Sequence, residues 1–241
     1  MRPLLFFITM LFTFPVNASL KIAVASNFKV TLEEIVSLYE QQYPQQSQQK
    51  ILISSASTGT LYNQINHGAP FDLFLSADKE RAELIEQSDL GIKGSRFTYA
   101  QGTLAFWEPQ SEGVIDKQYL LGFSGRIAIA NPKLAPYGLA AKQALESLKI
   151  WSKLSYIQGA NITQAYQFVD TGNISAGIVA HSLLLQNNET NYFLLPADSY
   201  KPILQQGVML NSSENKVLLQ HFVKYLQSDE IVTLIRSKGY L

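Results

Sequence analysis

The sequence of 241 residues is 46% hydrophobic and 16% charged, with 19 basic and 19 acidic side chains and no cysteine. The apolar fraction is typical of a packed globular protein, and the length suffices for one large domain or two smaller lobes. A net charge of zero argues against a nucleic-acid-binding protein, which usually carries a basic patch. The absence of cysteine excludes disulfides, thiol nucleophiles, cysteine-ligated zinc, iron–sulfur clusters and a lipid attached to cysteine.

The segment 1–18 is typical of a signal peptide. Arg2 precedes an apolar run over 4–14, and small residues at 16–18 form a cleavage site. The run is shorter than the ~20 residues that a membrane-spanning helix needs. We therefore expect cleavage after Ala18 and an exported, periplasmic mature chain from Ser19 onward that is not embedded in the membrane. The alternative is a buried N-terminal strand or helix.

The first part of the mature chain alternates short apolar runs with helical periods. The pattern predicts strands over 20–25, 50–54 and 72–76, and helices over about 30–43, 61–67 and 79–88. This β-α-β-α-β order favours a mostly parallel sheet with helices on both faces.

The pattern changes near Tyr99. Further strands are predicted over 103–107, 126–130, 175–179 and 203–210, and helices over about 138–148, 163–171, 214–226 and 230–238. No flexible linker separates the two parts, so we expect two α/β lobes joined by crossing strands near Tyr99 and Lys201. Residues 19–99 with 202–241 are predicted to form the first lobe, and 100–201 the second.

Four predicted strand-to-helix turns share the same chemistry. They lie at 25–27, 56–59, 135–138 and 160–163, begin helices with small or hydroxyl-bearing residues, and contain no acidic side chain. Ligands of open α/β sheets bind at the carboxyl ends of the strands, where these turns lie. A helix N-terminus offers unpaired N–H groups and a partial positive charge to an anion. We expect the four turns, two from each lobe, to converge on one small anion.

Ordinary N-capping explains any single one of these turns, and Pro136 fits the first turn of a helix. The repetition in both halves favours a binding site instead. A protonated oxyanion needs an acceptor for its proton, usually a carboxylate, and the turns contain none. A site of donors alone favours a fully deprotonated dianion such as molybdate, tungstate, sulfate or chromate.

The same turns belong to four segments with a wider resemblance. They are IAVASNF at 22–28, SSASTGTLYNQINHGAPFDLFLSAD at 54–78, IAIANPKLAPYGLAAKQAL at 127–145 and AGIVAHS at 176–182. In this order they resemble the periplasmic molybdate-binding proteins of bacterial ABC importers, over essentially the whole mature chain. The resemblance implies the type II periplasmic-binding fold, an oxyanion held between two lobes, no cofactor, a membrane ABC permease as partner, and a monomer.

The resemblance also implies the donors that surround molybdate or tungstate, without a direct ligand to the metal atom: Ser26, Asn27, Ser57, Thr58, Tyr137 and Ile162. Tyr137 and Ile162 are expected to act through backbone N–H groups, as is Asn27, whereas Thr58 acts through its hydroxyl with Ser57 as the neighbouring alternative. One position departs from the better-known branch of the family. In that branch a tyrosine follows the GIV motif, whereas this chain has Ala180. Tyr137 is a candidate to replace that hydroxyl, so ligand number and selectivity stay open.

Two alternative functions follow from the same sequence. The first is a binding protein for another oxyanion, such as sulfate or chromate. The second is an exported hydrolase that uses Asp72 or Asp78 with one of the histidines.

The three histidines, His67, His181 and His221, lack metal-binding spacing. We expect no enzyme, because the four turns offer no general acid or base and the two aspartates fit a strand start and a helix cap.

Overall fold

A computed structural model describes residues 19–46 and 49–241. The predicted signal peptide, 1–18, lies outside the described residues. The described chain forms two five-stranded sheets, each flanked by helices. We call each sheet with its helices a lobe.

The first lobe combines the N-terminal part of the chain with its C-terminal end. Its strands are β1 (Leu20–Ala25), β2 (Ile51–Ala56), β3 (Leu73–Ser76), β4 (Phe97–Gly102) and β10 (Ile203–Met209). Its helices are α1 (Lys29–Gln42), α2 (Thr58–Asn66), α3 (Lys79–Gln87), α8 (Lys216–Leu226) and α9 (Asp229–Ser237). The strand order is β2-β1-β3-β10-β4, in which β1 is parallel to β2 and β3, whereas β10 is antiparallel to β3 and β4.

The second lobe is built from the middle of the chain. Its strands are β5 (Leu104–Trp107), β6 (Arg126–Ala130), β7 (Ser155–Gly159), β8 (Ala176–Ala180) and β9 (Tyr192–Leu194). Its helices are α4 (Lys117–Gly122), α5 (Pro136–Ser147), α6 (Ile162–Asp170) and α7 (His181–Gln186). The strand order is β7-β6-β8-β5-β9, with β6 parallel to β7 and β8, and β5 antiparallel to β8 and β9.

The two-lobe α/β class predicted from the sequence is confirmed: in each sheet four of the five strands run in the same direction, and a single strand, β10 or β5, is antiparallel to its neighbours. The reason is the connection between the lobes. Strands β1, β2 and β3 end at the cleft, and β4, which leaves the first lobe, runs in the same direction. Strands β10 and β5 arrive from the opposite lobe, so each starts at the cleft and runs antiparallel to its neighbours. Only Thr103 separates β4 from β5. The exact lobe boundaries that the sequence analysis gives stay a prediction.

Each lobe has its own core because the central strands are buried on both faces. Along β3, Leu73 and Leu75 pack with Phe222 of α8, whereas Phe74 faces the opposite side and packs with Leu61 of α2. This alternation follows from the two-residue period of a strand. The helices on both faces thereby fix where the ends of the strands lie, and the cleft lies at those ends.

Candidate functional site

Four helix N-termini meet at one small cavity between the lobes. The first lobe contributes the short 3₁₀ turn Ser26–Phe28, which leads into α1, and the start of α2. The second lobe contributes the starts of α5 and α6. The cavity is lined by Ala25, Ser26, Asn27, Ser57, Thr58, Ala77, Ala135, Pro136, Tyr137 and Ile162. All six ligand residues predicted from the sequence therefore lie around one space.

The cavity is small and has a neutral lining. Its volume is about 10 Å³, far below the ~300–1,000 Å³ of pockets for drug-sized ligands. No charged side chain is among the described residues that line it, and the first turns of these helices contain no acidic residue. The positive ends of the helix dipoles therefore dominate the electrostatics of the cavity, which favours a small anion.

The Thr58 hydroxyl has a proton available for a ligand in the cavity. Thr58 is buried at the start of α2, and its Oγ1 accepts a hydrogen bond from the Ala77 N–H at 2.9 Å. A hydroxyl has one proton to donate. Because the bond from Ala77 uses an acceptor position of the oxygen, the Thr58 proton stays available for a ligand. The backbone N–H of Thr58 also lacks an acceptor within the helix.

Ser57 has the role of a helix cap. It is the N-cap of α2, where its hydroxyl accepts from the Thr60 N–H at 3.3 Å and lies 2.7 Å from the Thr60 hydroxyl. The capping interpretation therefore fits this serine, and the geometry favours its neighbour Thr58 as the hydroxyl ligand.

The Ser26–Asn27 turn presents one hydroxyl and backbone N–H groups. No described residue hydrogen-bonds the Ser26 hydroxyl, whereas the Ser26 carbonyl accepts from the Thr163 hydroxyl of the second lobe at 3.1 Å. The Asn27 side chain is engaged by a residue of β10, where its Nδ2 donates to Gln205 Oε1 at 2.9 Å. The Asn27 carbonyl accepts from the Tyr240 hydroxyl at 2.8 Å. The backbone N–H is thus the group that Asn27 can offer to a ligand.

The two turns of the second lobe present backbone donors. Pro136 is the first residue of α5 and has no N–H, so Tyr137 supplies the first N–H of that helix. Asn161 caps α6 by accepting from the Gln164 N–H at 2.9 Å, which leaves the N–H of Ile162 unpaired within the helix. The side chains of Tyr137 and Ile162 are both buried in the core of the lobe.

The Tyr137 hydroxyl is engaged by a residue of the first lobe. It accepts a hydrogen bond from Gln205 Nε2 at 3.1 Å, and a Cβ atom on Gly102 would collide with it. Neither Gln205 nor Gly102 lines the cavity. Burial raises the pKa of this hydroxyl well above its ordinary value, with smaller contributions from Tyr240 and Tyr99, so it stays neutral. The backbone N–H is thus the group that Tyr137 can offer to a ligand, and replacement of the tyrosine hydroxyl missing at Ala180 by that of Tyr137 stays a prediction.

The lobes touch across the cleft, so the arrangement is closed. The Gly59 N–H donates to the Leu134 carbonyl at 2.8 Å, and Arg81 Nη2 donates to the Lys133 carbonyl at 3.3 Å. A Cβ atom on Gly59 would lie 2.8 Å from the Leu134 oxygen, closer than side chains tolerate. Glycine at this position therefore permits the close approach of the two lobes.

The aspartates of the hydrolase alternative have structural partners. Asp72 Oδ2 accepts from the Lys21 N–H at 2.6 Å. Asp78 caps α3 by accepting from the Arg81 N–H at 2.8 Å and also pairs with the Arg81 guanidinium. The capping role predicted for Asp78 is confirmed, and neither carboxylate lines the small cavity.

The histidines are separate from one another and from the cavity. Their bonding partners are the Asn63 carbonyl for His67, the Tyr192 hydroxyl for His181 and the Tyr39 hydroxyl for His221. Within 19–46 and 49–241, no group of three or more His, Asp or Glu side chains could hold a metal ion. None of the helices in that part of the chain is long and apolar enough to cross a membrane.

Sequence reasoning missed Gln205, whose side chain contacts both Asn27 and Tyr137 behind the cavity. The signal was present in the sequence. The predicted strand ILQQGVML carries two adjacent glutamines in an otherwise apolar run. Adjacent residues of a strand face opposite sides, and a sheet covered by helices on both faces buries both, so the pair predicts buried amides that need hydrogen-bond partners.

A two-lobe fold with a small ligand cavity in the cleft defines a solute-binding protein, and the comparisons with known proteins agree. The family of bacterial extracellular solute-binding proteins matches residues 20–241, and the chain belongs to this family. The molybdate-binding protein ModA of Azotobacter vinelandii is 36% identical over 230 residues, covering 92% of this chain and 90% of that protein. ModA of Rhodobacter capsulatus is 34% identical over 222 residues, covering 91% and 86%.

Solved structures show the same relationship. The periplasmic molybdate-binding protein of Azotobacter vinelandii superimposes with a TM-score of 0.83 at 31% identity, covering 92% of this chain and 99% of that chain. The sulfate-binding protein SubI of Mycobacterium tuberculosis reaches a TM-score of 0.72 at 11% identity, covering 92% and 86%. At that low identity, the second likeness shows the fold alone.

Proposed function

We propose that this protein captures molybdate, or its analogue tungstate, in the periplasm and delivers it to a membrane ABC permease. The observation that carries the proposal is the convergence of four helix N-termini with neutral donors on one small cavity. Two relatives at 36% and 34% identity are molybdate-binding proteins, which supports molybdate as the ligand.

The donor set favours a fully deprotonated dianion. The Thr58 and Ser26 hydroxyls and the N–H groups of Tyr137 and Ile162 can all donate, and no carboxylate lines the cavity to accept a proton from the ligand. Sulfate and chromate make similar demands on such donors, so the choice among these anions depends on the size of the closed cavity.

Binding without catalysis is part of the proposal. A hydrolase would need a general acid or base within hydrogen-bond reach of the ligand. Asp72 and Asp78 instead bond to the N–H groups of Lys21 and Arg81. We propose no cofactor, because the oxyanion is the cargo and neutral donors of the chain suffice to hold it.

Capture would follow from closure of the lobes around the anion. The chain crosses between the lobes at Thr103 and again before Ile203, where β10 starts, and these crossings are the proposed hinge. The bond from Gly59 to Leu134 and the bond from Thr163 to Ser26 can form only when the lobes meet. We propose that the permease recognises this closed monomer.

A thermal unfolding panel tests the ligand. The chain from Ser19 onward is unfolded with molybdate, tungstate, sulfate, chromate or phosphate at equal concentration. A ligand at a thousand times its Kd stabilises the folded state by about 4 kcal/mol. For a chain of this size, that raises the unfolding midpoint by roughly 8–16 °C.

We expect this rise with molybdate and tungstate and no rise with phosphate. A rise with sulfate or chromate alone would contradict molybdate as the ligand while keeping the oxyanion site. No rise with any of the five anions would contradict oxyanion binding, and the hydrolase alternative would then be tested.

A further inference from the structure

A buried glutamine lies at the hinge, behind the cavity. Gln205 is fully buried in β10, the strand that returns from the second lobe to the first. The pairing of β10 with β4 shifts register between Gln205 and Gln206. Such an irregularity re-aims side chains and is common next to functional sites.

The Gln205 carboxamide connects the two lobes. Its Oε1 accepts from Asn27 Nδ2 at 2.9 Å and from the Tyr99 hydroxyl at 3.1 Å, both in the first lobe. Its Nε2 donates to the Tyr137 hydroxyl of the second lobe at 3.1 Å. Asn27 and Tyr137 each belong to a turn that lines the cavity. One side chain therefore joins one ligand turn of each lobe.

The surroundings fix this arrangement. A Cβ atom on Gly102 would collide with the Tyr137 hydroxyl and lie 3.0 Å from Gln205 Nε2, so glycine there makes room for the bond. On the first-lobe side, the Tyr240 hydroxyl donates to the Asn27 carbonyl at 2.8 Å. Burial raises the pKa of Tyr240 to about 12, so its hydroxyl keeps the proton that it donates.

We propose that Gln205 is a positioning residue for ligand capture. It holds the Asn27 turn of the first lobe and the Tyr137 turn of the second lobe in their closed positions, without itself contacting the anion. The inference rests on the proposed function, because it assigns a role in oxyanion affinity.

In the closure proposed above, the bond between Gln205 and Tyr137 spans the two lobes that move relative to each other. Separation of the lobes changes the distance between the two residues. The bond therefore stabilises the closed arrangement more than the open one. Removing it should therefore speed release of the anion. A hydrogen bond confined to one lobe contributes equally to both arrangements and should leave affinity unchanged.

The neighbouring Gln206 supplies a matched control. Gln206 is also buried in β10, but its Nε2 donates to Thr98 at 2.9 Å and its Oε1 accepts from Arg96 at 2.7 Å. All of these residues belong to the first lobe. Gln206→Met makes the same chemical change as Gln205→Met without removing a bond between the lobes.

The experiment measures the affinity for molybdate by titration calorimetry and its dissociation rate by stopped flow. We expect Gln205→Met to weaken affinity by about tenfold or more, mainly through faster dissociation, since loss of a buried hydrogen-bond partner costs about 1–3 kcal/mol. Gln206→Met should leave the affinity of the folded protein unchanged even where its unfolding midpoint falls. Tyr137→Phe removes the same bond from the side of the second lobe and keeps the backbone N–H. This variant replaces Gln205→Met in the test if Gln205→Met does not fold.

The double variant separates positioning from direct contact. If both residues act through one bond, Gln205→Met with Tyr137→Phe should weaken binding no more than either single change. Fully additive losses, or unchanged affinity in both single variants, would overturn the positioning role while wild-type binding upholds the proposed function. Failure of the wild-type protein to bind molybdate would overturn the proposed function and this role with it.

Discussion

The two lobes supply the cavity with donors of different kinds. The first lobe presents side-chain hydroxyls, Ser26 and Thr58, beside its backbone N–H groups. The second lobe presents the N–H groups of Tyr137 and Ile162, whose side chains are buried in its core. Side-chain substitution can therefore remove donors from the first lobe, whereas in the second lobe the position of the helices determines the donors.

The second lobe has local features that hold its backbone donors in place. The N-terminal proline of α5 makes Tyr137 the first donor, and the Asn161 cap leaves Ile162 unpaired. A Cβ atom on Gly138 would collide with the Ala130 carbonyl, so glycine lets the start of α5 approach the end of β6 closely. The backbone of this lobe is thus fixed by packing and capping, independently of any hydroxyl.

The largest effect is expected from a negative charge in the first lobe. Ser26→Asp places a carboxylate beside the proposed anion, and two like unit charges about 4 Å apart repel by about 4 kcal/mol near a protein surface. That corresponds to about a thousandfold loss of affinity. Titration calorimetry with molybdate should therefore give a Kd at least about a thousandfold higher than that of the wild type.

The matched control for this change is Ser37→Asp, on an exposed face of α1. It adds the same charge away from the cavity and should leave affinity unchanged. Binding retained by Ser26→Asp would show that the anion occupies another place.

A smaller effect is expected from loss of one hydroxyl. Thr58→Ala removes a donor to a charged ligand, which costs about 1.5–3 kcal/mol, or about 10- to 100-fold in affinity. Thr58→Ser keeps the hydroxyl and the acceptor for the Ala77 N–H and should bind like the wild type. Calorimetry on the two variants separates the hydroxyl from the methyl group, and equal losses in both would contradict the hydroxyl assignment.

The sequence could predict the four turns because their chemistry is local. Asn161 and Asp78 cap helices that begin at the next residue, and Pro136 begins α5, as the order of these residues indicates. Parallel strands place such turns at one edge of a sheet, so their convergence in each lobe follows from the strand order. The predicted strands over 20–25, 126–130 and 203–210 match β1, β6 and β10 within one residue.

Other parts depend on contacts that are distant in the sequence. Strand β7 has a weak pattern because most of its residues are partly exposed, and β9 has only three residues. The hydrogen bonds of Gln205 join it to Asn27, 178 positions away, and to Tyr137, 68 positions away. No local pattern encodes which of many buried polar groups will meet, so this network needed the structure.

The smallest effect is expected from a side chain of the second lobe. Ile162→Val shortens a buried side chain and should cost about 0.5–1.5 kcal/mol of folding stability. Affinity for molybdate should stay within about twofold of the wild type, a difference under ~0.5 kcal/mol, because the backbone N–H is kept.

The contrasting variant, Ile162→Pro, removes that N–H at the first helical position, where proline is well tolerated. Asn161 already has the extended backbone that a following proline requires. Calorimetry should therefore show weaker binding for the proline variant only. Weaker binding by the valine variant would mean that the isoleucine side chain contributes to the site, and the contrast between side-chain and backbone donors would not hold.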